Sequence, residues 1–173
     1  IANHVARWDG MGWHTLGSGM VITTSYSSTR VSALATYKGE LIAGGYFSRA
    51  GDSPAQNIAR WDGENWHPLG GGLSYDAETM IEQGENLFVG GGFRDAGQRE
   101  VNYVARWDGE TWWALGGGVG YSGHYGPFCD PFSVSTTVYS LAFYQETLIV
   151  GGDFTNAGEI EANSIASWDG VEW

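Results

Sequence analysis

Asn57-Ile58-Ala59-Arg60-Trp61-Asp62-Gly63-Glu64-Asn65-Trp66-His67-Pro68-Leu69 decides the fold, because its skeleton returns three more times in this chain of 173 residues. The triplets Trp8-Asp9-Gly10, Trp107-Asp108-Gly109 and Trp168-Asp169-Gly170 repeat Trp61-Asp62-Gly63. Five positions after each first tryptophan stands a second, at Trp13, Trp66, Trp112 and Trp173. A pattern recurring at fixed internal spacing marks one small structural unit used repeatedly, and its shared residues report on assembly before they report on activity.

Upstream of each first tryptophan the register holds. Ten positions back lie Gly51, Gly97 and Gly158; fourteen back, Phe47, Phe93 and Phe154; seventeen and sixteen back, the pairs Gly44-Gly45, Gly90-Gly91 and Gly151-Gly152. Leu41, Leu87 and Leu148 stand at twenty, and Leu34, Met80 and Leu141 at twenty-seven; Leu16, Leu69 and Leu115 follow eight downstream. Period-two alternation divides the second copy into four short strands, roughly 31–37, 40–46, 57–61 and 65–69. Lys38-Gly39 and Gln83-Gly84 read as tight turns between the first two strands, and the Asp-Gly pairs as turns between the last two. Gln145-Glu146 lacks the glycine, so a different turn type is expected there. The glycine pairs indicate either a bulge or a close approach by a neighbouring element.

A four-stranded antiparallel meander with two apolar faces needs neighbours on both sides. The expected fold is therefore all-β, with β-propeller blades of four antiparallel strands: a half blade at 1–19, blades at 31–72 and 77–118, and a nearly complete blade at 138–173. Because Ile1 enters on the approach to a third strand and Trp173 falls before the final leucine, an incomplete propeller is expected, a fragment or part of a larger assembly. Neighbouring copies or the remainder of a longer chain would complete it. Length varies only in the connection from fourth to first strand, which spans 18 positions from Leu16 to Leu34, 11 from Leu69 to Met80 and 26 from Leu115 to Leu141. Variable loops on a rigid scaffold are where binding concentrates.

Composition narrows the partners. A net charge of -12, from 20 acidic and 8 basic side chains, repels a phosphate backbone, so no nucleic acid is expected. No apolar run reaches the length of a membrane span, so no membrane insertion is expected. Cys129 is the only cysteine and can form no internal disulfide.

The string Leu41-Ile42-Ala43-Gly44-Gly45-Tyr46-Phe47, then Ala50-Gly51, then the segment from Asn57 to Leu69, resembles a kelch-like β-propeller repeat. It is most similar to the extracellular repeats of fungal cortical marker proteins and to repeats of bacterial secreted or surface proteins. The likeness covers nearly the whole chain outside the long connections. It implies blade architecture, with the glycine pairs closing the second strand and the tryptophans anchoring the third and fourth. Related propellers serve as adhesins, sugar binders, enzyme scaffolds and structural modules, so the resemblance implies a fold more than a function.

Asp9, Asp62, Asp108 and Asp169 present two readings, a repeated calcium site or a carboxylate that accepts backbone N–H groups and shapes the turn; the turn reading is preferred. Arg7, Arg60 and Arg106 are expected to pack over an aromatic ring or pair with an acid. Asn3, Asn102 and Asn163 are expected to cap turns. The four histidines show no zinc spacing, the glycine runs lack the lysine and helix of a phosphate loop, and no catalytic triad stands out. No metal, cofactor or catalytic residue is assigned. The binding candidates are the aromatic insertion Tyr121, His124, Tyr125, Phe128, Asp130 and Phe132, joined by Tyr26 and Tyr75 from the other connections. The function expected is a non-catalytic extracellular or cell-surface binding or adhesion module for protein or glycan. Two alternatives stand beside it: a carbohydrate hydrolase or lyase drawing on carboxylates such as Glu78, Glu82 and Asp130, and a structural subunit of a filament or tube.

Overall fold

The computed structural model describes residues 2–23, 28–121 and 135–173. The protein is all-β, an array of small antiparallel sheets of two to four strands that repeats along the chain. Sheet I contains Arg30–Tyr37, Glu40–Tyr46, Ile58–Trp61 and Trp66–Pro68. Sheet II contains Ala77–Gln83, Asn86–Gly91, Val104–Trp107 and Trp112–Ala114. Sheet III has the first three strands of the pattern, Thr137–Tyr144, Thr147–Asp153 and Ile165–Trp168. Before sheet I stands a two-stranded hairpin, Ala6–Trp8 with Trp13–Thr15, matching the third and fourth strands of the others.

Each sheet packs face to face on the next, which buries apolar surface that none could cover alone. Ile42, Ile58, Leu87, Val89 and Ala105 share the core between sheets I and II; Phe88, Val104, Leu141, Leu148 and Val150 share that between sheets II and III; Val5, Leu16, Ala43 and Ala59 join the hairpin to sheet I.

The glycine pair serves both purposes, one per residue. Opposite it the first strand always bulges, at Ser32, Glu78 and Tyr139. A side chain on Gly45, Gly91 or Gly152 would lie within 2.2, 2.1 or 2.1 Å of a first-strand carbonyl at that bulge. The preceding glycine instead faces the next sheet: a Cβ on Gly44 would meet the Ala77 Cβ at 2.7 Å, and one on Gly90 would meet Val138 Cγ1 at 2.4 Å.

A tryptophan latch joins each module to the one before. The second tryptophan donates its indole N–H backwards, Trp66 to the Leu16 carbonyl (2.9 Å), Trp112 to that of Gly70 (3.0 Å) and Trp173 to that of Leu115 (2.7 Å). The two tryptophans of a module lean on each other with centroids 5.0 to 5.5 Å apart. The pair closes over Gly17, Gly70 or Gly116, each left-handed, where a Cβ on Gly70 or Gly116 would fall within 2.5 Å of an indole atom. Only glycine satisfies both the backbone and the space at those two positions.

The Trp-Asp-Gly loop has four residues rather than two, since Trp61 pairs with Trp66 and Asp62 to Asn65 turn between them. Asp62 Oδ1 accepts from the backbone N–H groups of Glu64 (2.9 Å) and Asn65 (2.7 Å), and Asp9, Asp108 and Asp169 do the same in their loops. The other carboxylate oxygen meets His14, His67 or Trp113, each at 2.6 Å. Those backbone donors hold all four carboxyls below the ordinary range, that of Asp108 at about 2.

Two turn expectations are corrected. Gln145 and Glu146 both take positive φ, like Lys38 and Gly39, so the glycine-free turn keeps the doubly left-handed form of a type I′ turn. The divergent turn is in sheet II, where Gln83 pairs with Asn86; the corner is Gly84-Glu85 and only Gly84 is left-handed. The twist of paired strands demands the geometry, and long side chains that project into solvent tolerate it.

The latch sets the first prediction. Trp112→Phe leaves the Gly70 carbonyl without its indole donor and is expected to cost about 1 kcal/mol, whereas Trp112→Ala also opens a cavity and should cost about 3–5 kcal/mol; urea unfolding measured on both variants checks the order.

Candidate functional site

Connections from fourth to first strand and from second to third strand meet at one end of the sheets and pair there. Met20–Val21 pairs with Arg49–Ala50, Leu73 bridges to Ala96, and Val119–Gly120 pairs with Asn156–Ala157. Asn3 and Asn102 brace this end by donating to the carbonyls of Ser18 (2.8 Å) and Gly117 (3.0 Å). Asn57 is buried and ties Phe47 N–H to the Leu73 carbonyl. The short hairpin turns occupy the opposite end, so the connection end carries the variable residues on a fixed base.

At the start of the first strands, this end holds a charged cluster. The Arg30 guanidinium reaches from sheet I to Asp76 and Glu78 of sheet II, one nitrogen touching both carboxylates, with Glu78 at 2.6 Å; its Nε donates to Ser32 Oγ at 2.8 Å. The Asp76 side chain is only 7% exposed. Burial, followed by the hydrogen bond and charge of Glu78, raises its pKa to about 6 against the pull of Arg30. Beside it Tyr75, 52% exposed, packs on Tyr46 with centroids 5.4 Å apart and rings tilted by 56°. Gly92 makes the approach feasible, because a Cβ there would lie 2.9 Å from Asp76 Oδ1 and 3.0 Å from the Tyr75 ring.

Tyr121 stands at the same end, one connection further on. It lines an open cleft of about 420 Å³ with Ser135, Asp153, Phe154, Thr155, Asn163 and Ser164. Tyr139 donates to Asp153 Oδ2 at 3.3 Å and is itself exposed. A smaller cavity of about 220 Å³, walled by Phe88, Phe143, Arg106 and Trp113, lies between sheets II and III and reaches the Trp168-Asp169-Gly170 turn. There Arg106 and Arg99 stack on Trp113, while Arg60 pairs with Glu40 at 2.7 Å, both kinds of partner expected for these arginines.

Of the binding candidates, Tyr75 joins the charged cluster and Tyr121 the neighbouring cleft. Tyr26 lies outside the described residues, as do His124, Tyr125, Phe128, Asp130 and Phe132. Of the acids named for hydrolysis Asp130 lies outside the described residues, and the other two stand apart: Glu82 sits near the turn end of its strand, accepting from the Lys38 N–H at 2.8 Å, four residues and roughly 13 Å from Glu78. Among the described residues no three His, Cys, Asp or Glu side chains converge as a metal set. None of these residues forms a helix long and apolar enough to cross a membrane.

Sequence reasoning missed Arg30, Asp76, Tyr46, Tyr139 and Asp153. The signal was available in the same register: 31 positions before the first tryptophan stand Arg30, Asp76 and Thr137, and 15 before stand Tyr46, Gly92 and Asp153. Both columns change chemistry from module to module, the second of them between the constant Gly45, Gly91, Gly152 and Phe47, Phe93, Phe154. No protein-family model matches the chain, and no curated protein or solved structure matches it.

Since Asp76 holds its proton up to about pH 6 when folded and the ordinary value is 3.8, the folded chain binds more protons between those values. The Asp76 contribution to stability is therefore most favourable below about pH 4 and is lost as pH rises through about 6. Urea unfolding from pH 3 to 8 is expected to show the wild-type stability falling relative to Asp76→Asn across that window and running parallel to it above.

Proposed function

We propose that this chain is part of a β-propeller of kelch-like repeats, with blades at 31–72, 77–118 and 138–173 and a half blade at 1–19, and that it serves as a non-catalytic binding module for a glycan at its connection end. Face-to-face stacking, one plain end and one end with paired, variable connections support the propeller reading. The observation that carries the binding reading is the exposed Tyr75 ring seated on Tyr46 beside the Arg30–Asp76–Glu78 cluster. An aromatic face receives the apolar side of a sugar ring, and a guanidinium flanked by carboxylates offers donors and acceptors to its hydroxyls. The likeness of the repeat to those of extracellular and surface proteins supports a setting outside the cell or on its surface and a role in adhesion.

A glycan array followed by calorimetry tests the reading. Tyr75→Ala is expected to weaken the selected glycan at least tenfold, about 1.4 kcal/mol, and aromatic substitutions within 121–132 to weaken it too, while Asp62→Asn at the opposite end leaves it unchanged. Affinity that survives both Tyr75→Ala and removal of the insertion rejects the site. Capture of a protein through these residues, with no glycan retained, would replace the ligand class.

One observation favours a second reading. Asp76, with its pKa raised to about 6 beside Glu78, resembles the split pair of a carbohydrate hydrolase or lyase. Against it, the two carboxylates share one guanidinium nitrogen, which leaves no gap for a glycosidic bond between them. Product formation from a bound oligosaccharide, abolished in folded Asp76→Asn, would promote this reading.

A further inference from the structure

The gap between sheets II and III is built differently, at matching positions of the repeat, from the gap between sheets I and II. On sheet II, Phe88, Arg106 and Trp113 stand opposite one another across three strands and so share one face; on sheet III, Phe143, Leu148 and Trp168 form the row turned toward them. The cavity of about 220 Å³ lies between these two rows.

Between sheets I and II the matching rows are Ile42, Arg60 and His67 against Glu82, Leu87 and Trp107. Tyr37 closes that gap at its turn end. It is buried, donates to the Glu85 carbonyl at 2.9 Å, and its hydroxyl oxygen would lie 3.3 Å from a Cβ on Gly109. Gln83 holds the place of Tyr37 in sheet II; it is exposed, and a Cβ on Gly170, the counterpart of Gly109, would meet nothing within 4 Å. Sheet II brings its fourth strand to the first gap, yet Tyr37 of sheet I is what closes it, so the exchange of tyrosine for glutamine opens the second.

Further exchanges give the opening its chemistry. Phe88, Phe143 and Trp113 stand where the first gap has Ile42, Glu82 and His67, and Phe88 meets Phe143 edge to face with centroids 5.1 Å apart. Asn86 occupies the place of Glu40, the acid that pairs with Arg60, so Arg106 lacks that partner. Among the described residues Arg106 forms no ion pair and stacks on Trp113, 5.6 Å from the ring centroid. A half-buried guanidinium without a counterion favours a carboxylate beside it. At the mouth, the exposed Glu146 and Asp169 offer the opposite charge.

We infer that this cavity binds a free α-amino acid with an aromatic side chain, its carboxylate on Arg106, its ammonium toward Glu146 and Asp169, and its ring against Phe88, Phe143 and Trp168. The rings of the wall receive another ring by edge-to-face contact. A volume below the roughly 300–1,000 Å³ of sites for drug-sized ligands sets the occupant at amino-acid size. A chain of net charge -12 repels a bare carboxylate, and a zwitterion escapes that repulsion. This site lies at the turn end, away from the connection end, so it stands or falls apart from the glycan reading.

Calorimetry with L-phenylalanine is expected to show saturable binding at one equivalent per chain. On the same protein, 3-phenylpropionate, which lacks the ammonium, and phenethylamine, which lacks the carboxylate, should each bind about tenfold more weakly or worse. Gln83→Tyr, which restores the residue that sheets I and III carry at this position, should abolish binding with an unchanged circular dichroism spectrum. Arg106→Gln should weaken it about tenfold or more, whereas Arg60→Gln, at the matching position of sheet I, should leave it unchanged. No saturable binding of L-phenylalanine at millimolar concentration, equal binding of either analogue, or binding retained in folded Gln83→Tyr or folded Arg106→Gln overturns the inference.

Discussion

The indole N–H of one module bonded to a backbone carbonyl of the module before it is the contact on which this architecture turns. Trp66, Trp112 and Trp173 make it in the same way, and the left-handed glycines Gly17, Gly70 and Gly116 lie where their tryptophan pairs close. A hydrogen bond made inside an apolar contact gains from its low-dielectric surroundings, and losing it would strand a carbonyl away from water. The latch thereby fixes the spacing between sheets, which lets Ala77 and Val138 seat on Gly44 and Gly90 and brings each pair of connections together at one end.

With that frame set by repeated residues, three columns at the connection end change chemistry from module to module. Arg30, Asp76 and Thr137 occupy one position of the repeat; Ser32, Glu78 and Tyr139 another; Tyr46, Gly92 and Asp153 a third. Arg30 crosses between sheets to meet Asp76 and Glu78 only because neighbouring first strands run side by side with their bulges aligned. Burial and the neighbouring Glu78 keep the proton on Asp76 further up the pH scale than on the turn aspartates, all held down by backbone donors, and Arg30 offsets only part of that effect.

Much of the frame was legible in the sequence because it repeats. The tryptophan spacing, the glycine pairs and the alternation of Leu41 to Tyr46 marked the strands, and the dual use of Gly44-Gly45 and Gly90-Gly91 was visible as two competing readings that both hold. The site was less legible for a physical reason. Arg30 and Asp76 are 46 positions apart, and nothing local marks either as buried or paired; their meeting follows from a sheet-to-sheet contact, which periodicity does not encode. Turn chemistry failed similarly at Gln145-Glu146, where strand twist imposes a backbone form that residue preference alone would not select.

Because each latch reaches back only to the adjacent sheet, cohesion in this molecule is transmitted between nearest neighbours. A whole module could be gained or lost by duplication or deletion in a gene without redesigning any joint.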